Sequence, residues 1–145
     1  MAKLSTFTRN SAAVSEGSPI VVGPEGNTFT LVTRGYTNDY ADRLWELRRS
    51  AAIRLNSNIS PNQTPVSPDF LPPSEEDACV AQAIAEKCLL DVRDLTNPDG
   101  SPVTLADYCG LMKDRANRPL LALAMQAAGA VGRATKDQLE AAEKN

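Results

Sequence analysis

The residues best suited to chemistry in this chain are carboxylates and thiols. Asp91, Asp94 and Asp99 fall close together, Glu75, Glu76 and Asp77 are consecutive, and the cysteines are Cys79, Cys88 and Cys109. Neighbouring carboxylates can divide general-acid and general-base work or hold a hard cation. A thiol becomes a nucleophile when a nearby base or cation favours the thiolate. The chain contains no histidine. That removes the commonest general base and metal ligand, together with every Ser-His and Cys-His pair.

Each of these groups has a local structural explanation. Asp99 sits in Asn97-Pro98-Asp99-Gly100, where Pro98 pre-sets φ for the second turn position and Gly100 takes the position that needs φ > 0. Asp91 and Asp94 are expected to be solvated or paired with Arg93 or another arginine. Ser74-Glu75-Glu76-Asp77 reads as a capping-box-like helix start with an acidic first turn, with Ser74 as the cap. If residues 75–90 form one helix, Cys79 and Cys88 are separated by about 900° of rotation and face opposite sides. No CxxC pair occurs, so the thiols read as reduced and buried. Cys109, following Asp107-Tyr108, is the one mildly suggestive spot left. No catalytic residue, metal or cofactor is therefore expected, and the chain does not read as an enzyme.

The elements that must position these residues come from a chain of 145 residues, 42% hydrophobic and 23% charged, with net charge −3. This is ordinary for one globular domain, and it offers no polycation for nucleic acid, which is not expected as a partner. No run approaches the roughly 20 apolar residues of a membrane span, and the N-terminus lacks the apolar stretch of a signal peptide. The expected fold is mainly α with a small N-terminal β-hairpin, an α+β protein of four to five helices.

Residues 1–17 lack periodicity and read as a flexible arm, followed by a globular domain over 18–134. Within it, 18–33 reads as a hairpin: Ile20-Val21-Val22, turn residues Gly23 to Asn27, then alternating Thr28 to Thr33 with Phe29 and Leu31 on one side. Arg34-Gly35 breaks the strand. Thr37 or Asn38 caps a helix over 39–55 whose core stripe is Tyr40, Leu44, Leu47 and Ala51. Arg43, Arg48, Arg49 and Arg54 form the one basic patch of the chain, either a contact for an acidic partner or a solvated face.

Residues 56–73 carry five of the ten prolines, at 61, 65, 68, 72 and 73, and form a semi-extended connector between the first and second of these helices. Val66, Phe70 and Leu71 are its candidates for docking or for binding a partner. A helical unit spans 74–134. Its first helix runs to about Leu90 and buries Ala81, Ile84, Ala85 and Cys88. Thr104 caps the next, with Leu105, Tyr108, Leu111 and Met112 inward. Pro119 opens a third, with Leu120, Leu123, Ala127 and Val131 as one stripe. Beside that stripe, Ala124, Ala128 and Gly132 recur at i, i+4, i+8 and admit close approach of another helix, internal or from a second copy. Thr135 to Gln138 signals a short final helix over 135–145.

Two segments together resemble the small tail assembly chaperones of long-tailed bacteriophages and phage-like elements. One is Phe29-Thr-Leu-Val-Thr-Arg34-Gly35-Tyr36-Thr37-Asn-Asp-Tyr40. The other runs from Leu89-Leu-Asp-Val-Arg-Asp-Leu95 through Asp99-Gly-Ser-Pro102-Val-Thr104 to the helix that begins Pro119-Leu-Leu. The resemblance implies a non-enzymatic morphogenesis protein of the host cytoplasm, a monomer or homo-oligomer that binds the tape-measure or tail-tube protein. It would do so through Arg43, Arg48 and Arg49, through Val66, Phe70 and Leu71, or through Ala124, Ala128 and Gly132. The alternative is a structural virion subunit, a head-decoration, minor capsid or connector protein, whose arm and connector lie across neighbouring capsid subunits.

Overall fold

Two β-branched runs joined by a glycine-containing turn form the expected hairpin. A computed structural model describes residues 1–133, with β1 at Ser18–Val22 and β2 at Phe29–Thr33, paired antiparallel from Ser18↔Thr33 to Val22↔Phe29. Alternation puts Ile20 and Val22 on the same face as Phe29, Leu31 and Thr33. Phe29, Leu31 and Thr33 are buried, and the Thr33 hydroxyl is satisfied by donating to the Arg34 carbonyl at 2.8 Å.

A lone hairpin needs another strand or a helix to stabilise it, and it finds both. Leu89–Arg93 is a strand, β3, which completes an antiparallel sheet of order β1-β2-β3. The expected helix end at about Leu90 is corrected here: the helix stops at Lys87, with Cys88 as its cap. The register steps from Val32↔Asp91 to Thr33↔Leu89, so Leu90 is an extra residue, a bulge. Strict alternation would send Leu89 and Val92 to opposite faces. The bulge lets both turn inward, where both are buried.

The long helices are α2 (Asn38–Asn56), α3 (Pro73–Lys87), α4 (Leu105–Met112) and α5 (Arg118–Ala130). The α+β architecture expected from the sequence holds, with the proline-rich connector between α2 and α3. Thr37 caps α2, accepting from Tyr40 N at 3.2 Å, and Thr104 caps α4, accepting from Asp107 N at 3.1 Å. Ser74 is not a cap. Pro73 stands at the first helical position, where its missing N–H costs nothing, so the helix begins two residues earlier and the Pro72 carbonyl receives the first amides.

Helix α5 packs on β1 and β2, α4 on β3, and α3 lies between these elements and α2. Tyr108 of α4 is fully buried, its ring 6.0 Å from Phe29 and its hydroxyl donating to the Leu120 carbonyl at 2.7 Å. On α5 the buried residues are Leu121, Ala124, Ala127 and Ala128 rather than the expected Leu120 and Leu123, which are half-buried.

The N-terminal segment also differs from a structureless arm. Ser11–Glu16 is a short helix, α1, capped by the Asn10 side chain. It is held to the body by backbone bonds, Asn10 N to Gly132 O at 2.9 Å and Gly35 N to Val14 O at 3.0 Å. A Cβ at Gly35 would come within 2.9 Å of Val14 Cγ1, so glycine there admits the segment. Helices this short form through tertiary contact and leave almost no mark in a sequence. The expected helix over 135–145 lies outside the described residues.

Candidate functional site

Antiparallel α2 and α3 bring most of the arginine patch against α3's carboxylates. Arg43 Nε donates to Glu86 Oε2 at 2.6 Å and its Nη1 to Glu46 Oε2 at 3.1 Å. Arg48 pairs with Glu76 through Nε at 3.1 Å and through Nη2, and Arg54 pairs with Glu75. These bonds hold the Glu86 carboxyl below its usual range and raise the guanidinium pKa of Arg43 and Arg48. Asp77 bridges to Arg115 at 2.8 Å and Arg118 at 3.0 Å. The consecutive acids Glu75, Glu76 and Asp77 thus face four different cations, Arg54, Arg48 and the pair Arg115 and Arg118, and do not converge on one point.

Arg49 is the exception. It is exposed and, among the described residues, makes no hydrogen bond or ion pair. It stands on the outer face of α2 with Trp45 and Ile53, at i−4 and i+4, which are 43% and 66% exposed. By sequence Trp45 only flanks the core stripe of this helix, and Ile53 carries no signal of its own. Their i, i+4, i+8 spacing around Arg49 was the signal available.

The connector divides its candidates. Val66 is clamped by the Asn56 side chain, its N–H donating to Oδ1 at 2.7 Å and its carbonyl accepting from Nδ2 at 2.9 Å. Leu71 packs against the core. Between them Pro68–Phe70 makes a single 3-10 turn, capped by Ser67 and lying against α2, and Phe70 on that turn is 83% exposed.

The small-residue stripe is internal. Ala124 and Ala128 are 0% and 2% exposed. Helix α5 ends at Ala130, so Gly132 leaves the stripe, adopts φ +80° and accepts the Asn10 amide.

The turn carboxylate has one task. Asp99 Oδ1 accepts from Ser101 N at 2.9 Å and Ser101 Oγ at 2.6 Å, and these bonds hold its pKa below the ordinary aspartate value. Gly100 N returns to Asn97 O at 2.9 Å with φ +88° at Gly100, so Pro98 and Gly100 play the turn roles expected of them. Asp91 accepts from Val92 N at 2.8 Å and pairs with Arg93 at 3.3 Å, while Asp94 ends β3 at φ +63°. Among the described residues no three His, Cys, Asp or Glu side chains gather to hold a metal ion.

All three thiols are free. Burial pushes Cys79 and Cys109 up and takes Cys88 to about 12, so at neutral pH they are thiols and not thiolate nucleophiles. A groove of about 880 Å³ opens where the N-terminal segment crosses the body, lined by Phe7, Arg9, Val14, Tyr36, Asn38 and Gly129 among others. The Tyr36 hydroxyl in it is spent on the Met125 carbonyl at 2.9 Å.

These features define the class, an α+β protein with a three-stranded antiparallel sheet covered by α4 and α5. Compared with known proteins, the chain matches no family model, no curated protein and no solved structure. Among the described residues no helix is long and apolar enough to cross a membrane.

Proposed function

We propose that this chain is a non-enzymatic phage morphogenesis protein, a tail assembly chaperone that binds the tape-measure or tail-tube protein in the host cytoplasm. The observation that carries the reading is the presentation of Phe70. Prolines keep the connector extended and remove backbone donors, the Asn56–Val66 clamp and Leu71 fix its two sides, and the aromatic ring between them is left in water. An aromatic side chain on a pre-ordered loop binds at low entropic cost, which suits a holder of apolar segments. The N-terminal segment bonds back to its own body. That supports a chaperone over the rival virion subunit, whose arm would reach across neighbouring subunits.

The test pairs two measurements. Tagged protein from infected cells is expected to capture the tape-measure or tail-tube protein, with capture lost in Phe70→Ala. Mass spectrometry of purified particles is expected to find the chain absent. Stoichiometric presence in the particles would overturn the chaperone reading in favour of the virion subunit.

A further inference from the structure

Four residues line the outer pole of α2: Asp42, Glu46, Arg49 and Ile53, at i, i+4, i+7 and i+11, with Trp45 at their side. At 3.6 residues per turn they lie within about 60° of one another. Asp42 and Arg49, seven residues apart, differ by only about 20°. Both are exposed, and neither has a partner among the described residues, whereas Arg43, Arg48 and Arg54 are all paired. The face is therefore acidic towards its N-terminal half and basic beyond it, with exposed tryptophan and isoleucine alongside.

A surface with this pattern is complementary to itself. We propose that α2 pairs with α2 of a second copy, antiparallel about a two-fold axis. The midpoint of Asp42 and Arg49 falls between Trp45 and Glu46. An axis there sets Arg49 of each copy on Asp42 of the other, forming the ion pair twice, and brings the two Trp45 rings together beside the axis. Glu46 meets its own counterpart near the axis, and its charge is already balanced by Arg43 of its own helix at 3.1 Å. Antiparallel alignment also opposes the two helix macrodipoles. A parallel pairing would set Asp42 near Asp42 and Arg49 near Arg49, which like-charge repulsion disfavours. One face of a helix of this length buries less than the roughly 800 Å² per partner of a standard stable interface, so the dimer is weak, with Kd in the micromolar range or above. This inference is independent of the chaperone reading, because Phe70 and the partner it would hold take no part in it.

Sedimentation of the full chain from about 10 µM to about 1 mM tests it. The expected result is a monomer–dimer equilibrium that weakens with added salt. Arg49→Glu and Asp42→Arg each weaken association about tenfold or more, and the double variant returns to within about threefold of the parent, because the swapped pair re-forms. Both positions are exposed and unpaired among the described residues, and circular dichroism checks that the variants fold. Trp45 is the single tryptophan, so its emission should shift on dilution and report this face directly. A monomer throughout, a dimer indifferent to the single reversals, or a double variant that does not recover would each overturn the proposal. The first outcome would leave the face to a different protein.

Discussion

Two stretches of this chain break helical periodicity, and they end up in opposite conditions. Residues 89–104 become a strand, a tight turn and a helix cap. Strand β3 pairs with β2, Asn97 N reaches Ser101 O at 2.7 Å, and Val103 N reaches Leu95 O at 2.9 Å. Leu89, Val92 and Val103 are buried. Residues 57–72 contain no buried residue and are held by the Asn56 clamp, Leu71 and a few local bonds about Ser60 and Ser67. The difference follows from side chains and donors. Apolar residues with intact N–H groups could complete a sheet that needed a third strand. Proline removes the donors a ladder requires and leaves extended chain that water must solvate. One stretch therefore holds the fold together, and the other presents side chains outward.

Substitutions can break or sharpen that contrast. The largest effect is expected for Leu89→Ala, which opens a cavity under the sheet and should cost about 2–5 kcal/mol in chemical denaturation. Gly100→Ala comes next. A Cβ there meets nothing within 4 Å, so the penalty is purely that of φ +88°, about 1–2 kcal/mol. The pH response of the same turn should be smaller. The folded-state pKa of Asp99 is lowered, so its bonds to Ser101 stabilise the turn above the ordinary aspartate range and are lost as pH falls below about 4. NMR of the Ser101 amide should follow that loss, and Asp99→Asn should remove the titration. The smallest effect is expected in the connector, where Phe70→Ala should change stability by no more than about 0.5 kcal/mol. A cost above about 2 kcal/mol would mean that Phe70 is a packing residue and would dissolve the contrast.

Much of the fold could be read from local chemistry. The hairpin, the caps at Thr37 and Thr104, and the turn at Asn97–Gly100 each depend on a few adjacent residues, and all stand where the sequence put them. The candidate contact residues were less legible, because exposure is a property of neighbours. Arg43, Arg48 and Arg49 look alike in sequence, yet α3 neutralises the first two and leaves the third. Ala124 and Ala128 fit an external helix as well as an internal one until the core closes over them.

The sequence by itself determined the caps at Thr37 and Thr104 and the turn at Asn97–Gly100, because a capping hydroxyl, a proline ring or a glycine at positive φ acts within a few residues. Tertiary structure decided what Leu89–Arg93 would become, since its apolar spacing suits a helix end or a strand and β2 supplied a free edge. It also chose which arginine and which aromatic side chain remained in solvent. Those outcomes rest on long-range pairing between α2, α3 and the sheet, and no window of adjacent residues contains that information.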